Sequence, residues 1–556
     1  MCGIVAYVGE KYCESLLLSA LSQLEYRGYD SAGIAIIKND ASLLRVRSKG
    51  NISNLINKLA SYKEVGKIGI AHTRWATHGE ANEANAHPHI DGEERFAVVQ
   101  NGIINNYAEL KAKLATVNFQ SDTDTEVIPH LIAYYQKNLD VVSAIQRSIE
   151  DLEGDLAIAI LSRDRPNELF VYSRNTPLIV GKSSDGYWCA SDLVALNECD
   201  SYIRLPYGVL GRISSRKVEW LNGEVGKWHR MPAMDIKKQG YDSYMLKEIY
   251  EQPKVVAISA QWQPSHLLKG IKSINFIAAG SSWHAALIAQ YVLEKNARIV
   301  TRVWTASEYV DAKPPLCACS MTIAISQSGE TADVLKAIQW ENERRKAQNR
   351  LYQAPIIAIT NRKESTLAEY VNEIWPMNAG IEMAVAATKS FLSTVTMLYR
   401  LAGIKTSELL GLVEQMQKVL KEQTGKIESM AAQVVKYQQC IFLGRGIFWP
   451  IALEGALKLA EVGNVACVAY AAGEMKHGYM ALLSADTLVV CLSCADHQIK
   501  EVEARGAHVL RFDFDGDCCS ALISIIYLQL LSYKVAQLKC LDVDRPRHLA
   551  KSVTVS

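Results

Sequence analysis

A cysteine stands at position 2 of the chain, followed by glycine and a short apolar run that ends at Val8. If Met1 is removed after synthesis, Cys2 carries both a thiol and a free α-amine. The unperturbed pKa of an α-amine is about 8, so the amine can accept the proton of the thiol. Position 2 therefore predicts a nucleophile that carries its own base. The alternative is a small buried residue near the chain terminus.

Three further segments of the first half carry groups that such a nucleophile needs. Residues 72–79 read H-T-R-W-A-T-H-G, residues 100–102 read Q-N-G, and residues 121–126 read S-D-T-D-T-E. An oxyanion hole needs fixed donors, and Asn101 and Gly102 can provide a side-chain amide and a backbone N–H. Asn-Gly is also a common turn. The third segment offers a carboxylate for a substrate ammonium group, or else it begins a capped helix.

A second kind of segment appears at residues 326–331, which read S-Q-S-G-E-T and lie between an apolar strand and a helix that begins near Ala332. A helix N-terminus reached through hydroxyl groups and glycine presents free backbone N–H groups and the positive end of the helix dipole to an anion. We interpret the segment as a phosphate-binding loop, the alternative being an ordinary Ser/Thr helix cap. Residues 280–282, G-S-S, also follow a strand and could add a second set of donors.

Charged residues interrupt an apolar helix at residues 451–461, where Glu454, Lys458 and Glu461 have helical spacing. Such spacing usually marks a solvated helix face, but charges in apolar surroundings need partners or a chemical role. Conversion between ketose and aldose sugars moves a proton between adjacent carbons, which requires a carboxylate base and a nearby acid. The pattern, followed by His477, predicts this chemistry.

The two halves of the chain differ in the elements that must position these groups. The first half has short β-like runs with amphipathic helices between them, which predicts an α+β layered domain. Beyond a turn-rich stretch near residues 222–240, apolar strands alternate with amphipathic helices, which predicts α/β doubly wound domains with parallel sheets. We place the domains at residues 2–235, 236–420 and 421–556.

The second half contains an internal repeat. The stretch I-N-F-I-A-A-G-S-S-W, which begins at Ile274, matches C-I-F-L-G-R-G-I-F-W, which begins at Cys440, and Gly280 aligns with Gly446. A second match lies farther along in the same register. The period is much longer than in solenoid proteins, so the repeat indicates two copies of one α/β unit.

Composition restricts the partners and the location. With 60 lysine and arginine residues against 59 aspartate and glutamate residues, the net charge is +1, and we expect no nucleic-acid or membrane partner. The longest apolar run, residues 518–538, contains serine, glutamine and lysine, so we interpret it as a buried core helix. No secretory signal is recognisable and the 13 cysteines form no zinc-ribbon pattern. We therefore predict reduced thiols, a cytoplasmic location, and no metal or cofactor.

Several motifs together resemble a known family. M-C-G-I-V, Y-R-G-Y-D-S-A-G and N-G-I-I-N-N, with H-T-R-W-A-T-H-G and T-D-T-E, resemble the N-terminal-nucleophile glutaminase domain of glutamine amidotransferases. S-Q-S-G-E-T-A-D, A-L-E-G-A-L-K-L, Y-A-A-G-E-M-K-H-G and the ending R-P-R-H-L-A-K-S-V-T-V resemble tandem sugar isomerase domains. Over essentially the whole chain, the combination resembles the isomerising glutamine:fructose-6-phosphate aminotransferase family, also called glucosamine-6-phosphate synthases.

The resemblance implies a role for each motif residue of the first half. Cys2 would attack the side-chain amide of glutamine, and Asn101 and Gly102 would stabilise the oxyanion. Trp75 would gate a sheltered path for the ammonia, and Arg27 would lie in a loop that closes over glutamine. The residues that would hold or line the glutamine site are Arg27, Arg74, Thr77, His78 and Asp124.

In the second half, the resemblance implies a sugar-phosphate site. Glu461 would be the base that moves the proton between C1 and C2, with Lys458 as its helper, and Lys551 would contact the sugar carbonyl through an imine. His477 would open the sugar ring from a neighbouring subunit, which implies a homodimer. The sugar phosphate would be bound by Ser282, Ser326, Gln327, Ser328 and Thr331, with Ala550 lining the site.

The predicted activity is the amination and isomerisation of fructose 6-phosphate to glucosamine 6-phosphate, with glutamine as the nitrogen donor and glutamate released. One alternative is a related enzyme that aminates another ketose phosphate, which Ala387 permits because the family commonly has serine there. Another alternative is a regulatory protein that only binds sugar phosphate. Lys458, Glu461, His477 and Lys551 argue against it, because a sensor has no need of proton-transfer groups.

Overall fold

The structure is a computed structural model that describes the chain except residues 1, 76–78, 224–225, 233, 235, 265–267, 347, 516 and 554–556, and the side chain of residue 424. The chain divides into two units, residues 1–234 with 552–556 and residues 235–551. The first unit contains Cys2, and the second contains the predicted phosphate-binding loop.

The first unit combines two sheets with five helices among its described residues. The strands are β1 (Gly3–Gly9), β2 (Ser31–Ile37), β3 (Leu43–Lys49), β4 (Ile68–Arg74), β5 (His89–Ile90), β6 (Phe96–Ile104), β7 (Gly154–Ser162), β8 (Leu169–Arg174), β9 (Ile179–Ser183), β10 (Gly186–Ala190), β11 (Ser201–Arg204), β12 (Leu210–Ile213), β13 (Val218–Trp220) and β14 (His229–Arg230). The helices are α1 (Glu14–Ser22), α2 (Ile52–Leu59), α3 (Tyr107–Lys113), α4 (Val127–Gln136) and α5 (Val141–Asp151).

The two sheets of this unit face each other across an apolar layer. An eight-stranded sheet has the order β14-β11-β9-β10-β1-β4-β2-β3, and a six-stranded sheet has the order β13-β12-β8-β7-β6-β5. Alternate residues of β6 point to opposite faces. Ala97 and Val99 pack with residues of β1 and β4 between the sheets, whereas Phe96 and Val98 pack against α3, α4 and α5. Because α1 and α2 cover the other sheet, the layers are helix, sheet, sheet and helix.

The second unit contains two parallel sheets. Its strands are β15 (Ser273–Ala278), β16 (Val300–Thr305), β17 (Ser320–Ile325), β18 (Ile356–Thr360), β19 (Glu373–Pro376), β20 (Gln439–Gly444), β21 (Ala466–Ala471), β22 (Thr487–Leu492) and β23 (His508–Phe512). Its helices are α6 (Tyr244–Ala260), α7 (Gly280–Val292), α8 (Ala306–Ala312), α9 (Ala332–Lys346), α10 (Thr366–Glu369), α11 (Lys389–Leu401), α12 (Thr406–Glu422), α13 (Thr424–Val434), α14 (Phe448–Gly463), α15 (Asp496–Glu503) and α16 (Cys518–Leu538).

The strand orders of these sheets are β16-β15-β17-β18-β19 and β21-β20-β22-β23. In each sheet the second strand lies on one side of the first and the third strand lies on the other. The helices that follow the first and third strands therefore begin next to each other, at the crevice where doubly wound folds bind ligands. The predicted α+β layered domain followed by two α/β doubly wound domains is confirmed.

The internal repeat is visible in the backbone. The shift in numbering that carries β15 onto β20 also carries β16 onto β21. Gly280 and Gly446, aligned from the sequence, have left-handed φ angles of 55° and 58°, each at the second residue after its strand ends. The fold thus contains two copies of one strand–helix arrangement, as predicted, while the residue boundary between them stays a prediction.

The longest apolar helix, α16, lies in the core of the second unit. It is long and apolar enough to cross a membrane, but most of it is buried inside the unit. It packs against α13 and α14, and the side chain of Asp517 caps its first turn by accepting from the N–H of Ser520. Its burial accounts for its apolar composition.

Candidate active sites

The thiol of Cys2 lies where β1 begins and β4 ends. β1 runs between β4 and β10 in the middle of the eight-stranded sheet, and Gly3 pairs with Thr73. The backbone N–H of Trp75 donates to Cys2 Sγ at 3.3 Å, and Sγ lies 3.6 Å from the carbonyl oxygen of Trp75. The half-buried thiol is therefore held against the residue that follows β4.

Asn101 and Gly102 lie beside Cys2 and not in a turn, because β6 continues through both residues. The side-chain amide of Asn101 donates from Nδ2 to the carbonyl oxygen of Cys2 at 3.0 Å. Gly102 has a φ of 113°, and a Cβ built on it would lie 1.9 Å from the carbonyl oxygen of Asp155, so a larger residue does not fit. The Asn-Gly turn considered from the sequence is therefore wrong, and an amide donor contacts the backbone of Cys2.

Residues of opposite charge lie near Cys2. Arg74, the last residue of β4, is 4% exposed. Burial lowers the pKa of its guanidinium, while the charges of Cys2, Asp30 and Asp124 act to raise it. Asp124 is also buried and accepts the backbone N–H of Ile104 at 2.8 Å. The structure thus brings Cys2, Arg74 and Asp124 together. A substrate carboxylate could pair with Arg74 there, and a substrate ammonium group could pair with Asp124.

Two other predicted residues of the first unit, Arg27 and Trp75, contact residues outside the group around Cys2. Arg27 is buried and donates from Nη2 to Asp192 Oδ2 at 3.0 Å, and this carboxylate and Tyr26 help to raise the pKa of its guanidinium against the effect of burial. The ring of Trp75 meets the ring of Tyr29 edge to face at 5.7 Å. The predictions for Thr77 and His78 fall outside the described residues.

The predicted phosphate-binding loop, residues 326–331, connects β17 to α9. Ser326 Oγ accepts the N–H of Gly329 at 3.0 Å and lies 2.9 Å from Thr331 Oγ1. Gly329 has a φ of 66°, and a Cβ there would lie 2.0 Å from Ser365 Oγ, so the tight loop requires glycine. Hydrogen bonds between loop residues therefore fix the conformation of the loop and hold its hydroxyl groups next to the first turn of α9.

A second donor set lies at the same sheet edge. Ser282 is in the first turn of α7, which follows β15, and β15 pairs directly with β17. In the loop, Ser328 Oγ accepts the N–H of Glu330 at 3.1 Å, and the carbonyl oxygen of Gln327 accepts the N–H of Asn361 at 3.1 Å. Because β15 and β17 are neighbours, α7 and α9 begin side by side. This arrangement favours binding of an anion between the two helix N-termini.

Lys458 and its carboxylates form a buried cluster and not a solvated helix face, so that alternative is wrong. Lys458 is 1% exposed, donates to Glu461 Oε2, and lies 3.6 Å from Glu454 Oε1. Glu454 Oε2 lies 2.7 Å from Nδ1 of His284, and Glu454 Oε1 accepts from Ser281 Oγ at 3.0 Å. Ser281 and His284 belong to α7 of the first copy, so both copies build the cluster.

The electrostatics of this cluster favour the charged forms of Lys458 and Glu454. Burial alone would lower the pKa of Lys458, but the carboxylates of Glu461 and Glu454 outweigh it and raise that pKa. Burial would raise the pKa of Glu454, but Lys458 and His284 hold it below its usual value. An ammonium group next to the half-buried carboxylate of Glu461 is an arrangement suited to proton transfer.

Lys551 joins this region through Glu382. Lys551 Nζ donates to Glu382 Oε2 at 2.6 Å and to the carbonyl oxygen of Ala384 at 2.7 Å. Burial opposes ionisation of Glu382, but the ammonium of Lys551 dominates and lowers the pKa of Glu382 to about 2. The charge of Glu382 also acts on Lys458. The structure therefore brings Lys458, Glu461 and Lys551 into one charged region.

Two predicted sugar-site residues are not joined to that region by side-chain contacts. His477 is exposed, and in the described part of the chain its ring makes no hydrogen bond. Ala550, next to Lys551, is half-buried.

Sequence reasoning missed two residues that contact the predicted ones. Glu382 is the partner of Lys551, and its signal was an acidic residue within the apolar segment G-I-E-M-A-V. His72 lies against Asn101, with His72 Nε2 at 3.1 Å from Asn101 Oδ1. Its signal was a histidine at an inward position of the apolar strand β4.

Glu248 on α6 leads to a prediction about stability. It is 2% exposed, and Glu248 Oε1 accepts the N–H of Ala384 at 3.3 Å, while Oε2 has no hydrogen-bond partner among the described residues. Burial, and then the charge of Glu382, raise its pKa from 4.5 to about 8. The folded protein therefore binds a proton that the unfolded chain releases between these pH values, so stability falls as pH rises through this window.

Glu248→Gln removes that titration and keeps an acceptor for the backbone N–H groups. We expect the variant to gain stability relative to the parent protein by on the order of 3 kcal/mol between about pH 5 and about pH 8. Urea unfolding of both proteins across this range measures the difference. Glu414→Gln, at an exposed position of α12, is the control and is expected to follow the parent. If the difference in the free energy of unfolding between Glu248→Gln and the parent did not change with pH, a raised pKa of Glu248 would be contradicted.

Comparisons with known proteins agree with this division of sites. A family model of the glutamine amidotransferase domain matches residues 72–198, and a model of the SIS domain matches residues 267–403 and 434–512. The chain therefore combines a glutamine amidotransferase domain with two SIS segments, the class that the thiol site and the repeated parallel sheets define.

Relatives and a solved structure identify the family. The glutamine–fructose-6-phosphate aminotransferases (isomerizing) of Synechocystis sp. and Thermosynechococcus vestitus are 42% and 40% identical over 631 and 627 aligned residues, covering 100% of both chains in each case. The C-terminal domain of glucosamine-fructose-6-phosphate aminotransferase from Francisella tularensis is 31% identical with a TM-score of 0.50, covering 56% of this chain and 100% of that domain. The chain belongs to the family of isomerising glutamine–fructose-6-phosphate aminotransferases.

Proposed function

We propose that the protein transfers the amide nitrogen of glutamine to fructose 6-phosphate and yields glucosamine 6-phosphate and glutamate. The observation that carries the proposal is the pairing of two kinds of site in one chain. Cys2 lies beside an amide donor, Asn101, and the unit with the hydroxyl-rich loop 326–331 also holds the ion pair of buried Lys458 and half-buried Glu461. The names of the relatives support the same reaction.

In the proposed glutamine reaction, the α-amine of processed Cys2 takes the thiol proton, and the thiolate attacks the amide carbon. A C–S bond forms while the carbonyl electrons move to oxygen, where Asn101 and Gly102 donate to the oxyanion. The amine returns its proton to the nitrogen, ammonia leaves, and water releases glutamate. Arg74 binds the carboxylate of glutamine and Asp124 binds its ammonium group, which the burial of both residues supports.

The remaining residues of this half control access. Thr77 and His78 line the glutamine site, Arg27 lies in the loop that closes over it, and Trp75 gates the exit of ammonia. Ammonia that reaches bulk water is protonated and loses its nucleophilic lone pair. We therefore infer that it moves to the sugar by a path from which bulk water is excluded.

In the proposed sugar reaction, the phosphate group binds at the N-termini of α7 and α9. His477 opens the ring, and Lys551 forms an imine with the sugar carbonyl as water leaves. Ammonia then replaces Lys551, and Glu461 moves the proton between C1 and C2 while Lys458 holds this carboxylate by an ion pair. The residues proposed to bind the sugar phosphate are Ser282, Ser326, Gln327, Ser328 and Thr331, with Ala550 lining the site.

We infer a homodimer in the cytoplasm, with small molecules as the substrates. The exposed ring of His477 makes no hydrogen bond within the described chain, as expected of a residue that serves the neighbouring subunit. All 13 cysteines are unpaired, which supports a reducing compartment.

Incubation of the protein with glutamine and fructose 6-phosphate tests the proposal directly. We expect glutamate and glucosamine 6-phosphate to accumulate in equal amounts, because each transferred nitrogen leaves one glutamate. Mass spectrometry of the sugar product with amide-labelled ¹⁵N-glutamine follows the nitrogen. Glutamate release without any amino sugar would contradict the proposal and favour a different acceptor or a regulatory role.

A further inference from the structure

The ring of His72 is a buried group that the proposed reaction does not use. It is 0% exposed on β4. His72 Nε2 lies 3.1 Å from the carbonyl oxygen of Gln100 and 3.1 Å from Asn101 Oδ1. His72 Nδ1 has no hydrogen-bond partner among the described residues. One ring nitrogen therefore makes all of the hydrogen bonds of this side chain.

The protonation of this ring follows from its neighbours. Burial, assisted by the positive charge of Arg74, lowers the pKa of His72 to about 3 even though Asn101 acts to raise it. A neutral imidazole has one N–H. The carbonyl oxygen of Gln100 is an acceptor, so the hydrogen resides on Nε2 and is shared between that oxygen and Asn101 Oδ1.

This hydrogen bond fixes which way the amide of Asn101 points. Asn101 Oδ1 faces the N–H of His72, and Asn101 Nδ2 donates to the carbonyl oxygen of Cys2 at 3.0 Å. A flipped amide would place its NH₂ group against the N–H of His72 and its oxygen against the oxygen of Cys2. Both contacts would be repulsive, so only the observed orientation is satisfied.

We propose that His72 is a positioning residue that keeps the donor face of the Asn101 amide beside the thiol of Cys2, where the glutamine oxyanion forms. This inference rests on the proposed glutamine reaction. With one hydrogen of Asn101 Nδ2 on the carbonyl oxygen of Cys2, the second hydrogen remains for the substrate oxygen. His72 thereby prepares a donor before charge develops, which is how an oxyanion hole acts.

Neighbouring histidines hold the ring plane of His72. The ring of His87 stacks on it with a centroid distance of 4.2 Å and an interplanar angle of 17°, and His87 Nδ1 accepts the backbone N–H of Gln100 at 3.4 Å. The ring of His89 meets that of His87 at 4.8 Å. Burial lowers the pKa of both His87 and His89 well below its usual value, so the stack is uncharged and does not repel itself.

The test compares His72→Leu, which has no donor, with His72→Gln, which restores an N–H. For the leucine variant we expect kcat for glutamine hydrolysis to fall roughly tenfold to hundredfold, which is less than the loss on removing an oxyanion donor outright. KM for glutamine is expected to change little, because Arg74 and Asp124 remain. His72→Gln is expected to recover part of the lost kcat, because its side-chain amide can donate to Asn101. His130→Gln, another buried histidine of this unit, is the control with unchanged kcat.

Alkylation of Cys2 by iodoacetamide separates positioning from damage to the nucleophile. This substitution at carbon forms no oxyanion, so its rate is expected to be the same in the parent protein and in both His72 variants. If His72→Leu does not fold, His72→Met replaces it. Equal kcat in the parent and the donor-free variant would overturn the role of His72, and so would a parallel loss of kcat and alkylation. No hydrolysis by the parent protein would overturn the proposed function together with this role.

Discussion

Cys2→Ala is expected to lower glutamine hydrolysis by at least about 10⁴-fold, because the variant retains the amide donor and the binding charges but has no nucleophile. The sugar half lies in the other unit and keeps its own groups. We therefore expect the variant to interconvert fructose 6-phosphate and glucose 6-phosphate at a rate near that of the parent protein. Glutamate release and hexose phosphate conversion, measured on the same sample, give both rates.

Cys540→Ala is the matched control, because Cys540 is an exposed, unpaired thiol. It is expected to retain both activities. Retained hydrolysis in Cys2→Ala would exclude Cys2 as the nucleophile. A parent protein that keeps Met1 and still hydrolyses glutamine at full rate would exclude the α-amine of Cys2 as the base.

Glu461→Gln is expected to have the opposite effect. The amide has the shape of the carboxylate but cannot accept the sugar proton, so we expect amino sugar formation and hexose phosphate isomerisation to fall by about 10²- to 10⁴-fold. Lys458 keeps a carboxylate partner in Glu454, 3.6 Å away, so the buried ammonium group still has a neighbouring negative charge. Glutamine hydrolysis is expected to continue and to release glutamate without amino sugar.

Two measurements test this variant. The first is the rate at which a proton at C1 of fructose 6-phosphate exchanges with solvent, and the second is the yield of amino sugar. Glu503→Gln, at an exposed position of α15, is the control for loss of a carboxylate in the same copy and is expected to leave both rates unchanged. If Glu461→Gln still exchanges the proton at the parent rate, another residue is the base. Together, the Cys2 and Glu461 variants separate the two half-reactions.

The sequence predicted best what depends on local pattern. Apolar runs at residues 3–8 and 322–325 became parts of β1 and β17, and the helical spacing of Glu454, Lys458 and Glu461 became α14. The duplicated stretch gave the register of both copies, because aligned glycines need the same left-handed backbone.

Contacts between distant residues could not be predicted in this way. Lys551 pairs with Glu382, and Arg27 pairs with Asp192, although nothing in the local periodicity of either segment indicates its partner. The sequence also left an Asn-Gly turn open at residues 101–102, but pairing with β7 overrides that preference and β6 continues through both residues. Tertiary packing decided these positions.

The hydrogen bonds from Ser281 and His284 on α7 to Glu454 on α14 make one copy of the repeat depend on the other. A solitary later copy would lack α7, so the Glu454 carboxylate would lose both hydrogen-bond donors together with the helix that covers it. Removal of either copy would therefore dismantle the charged cluster around Lys458.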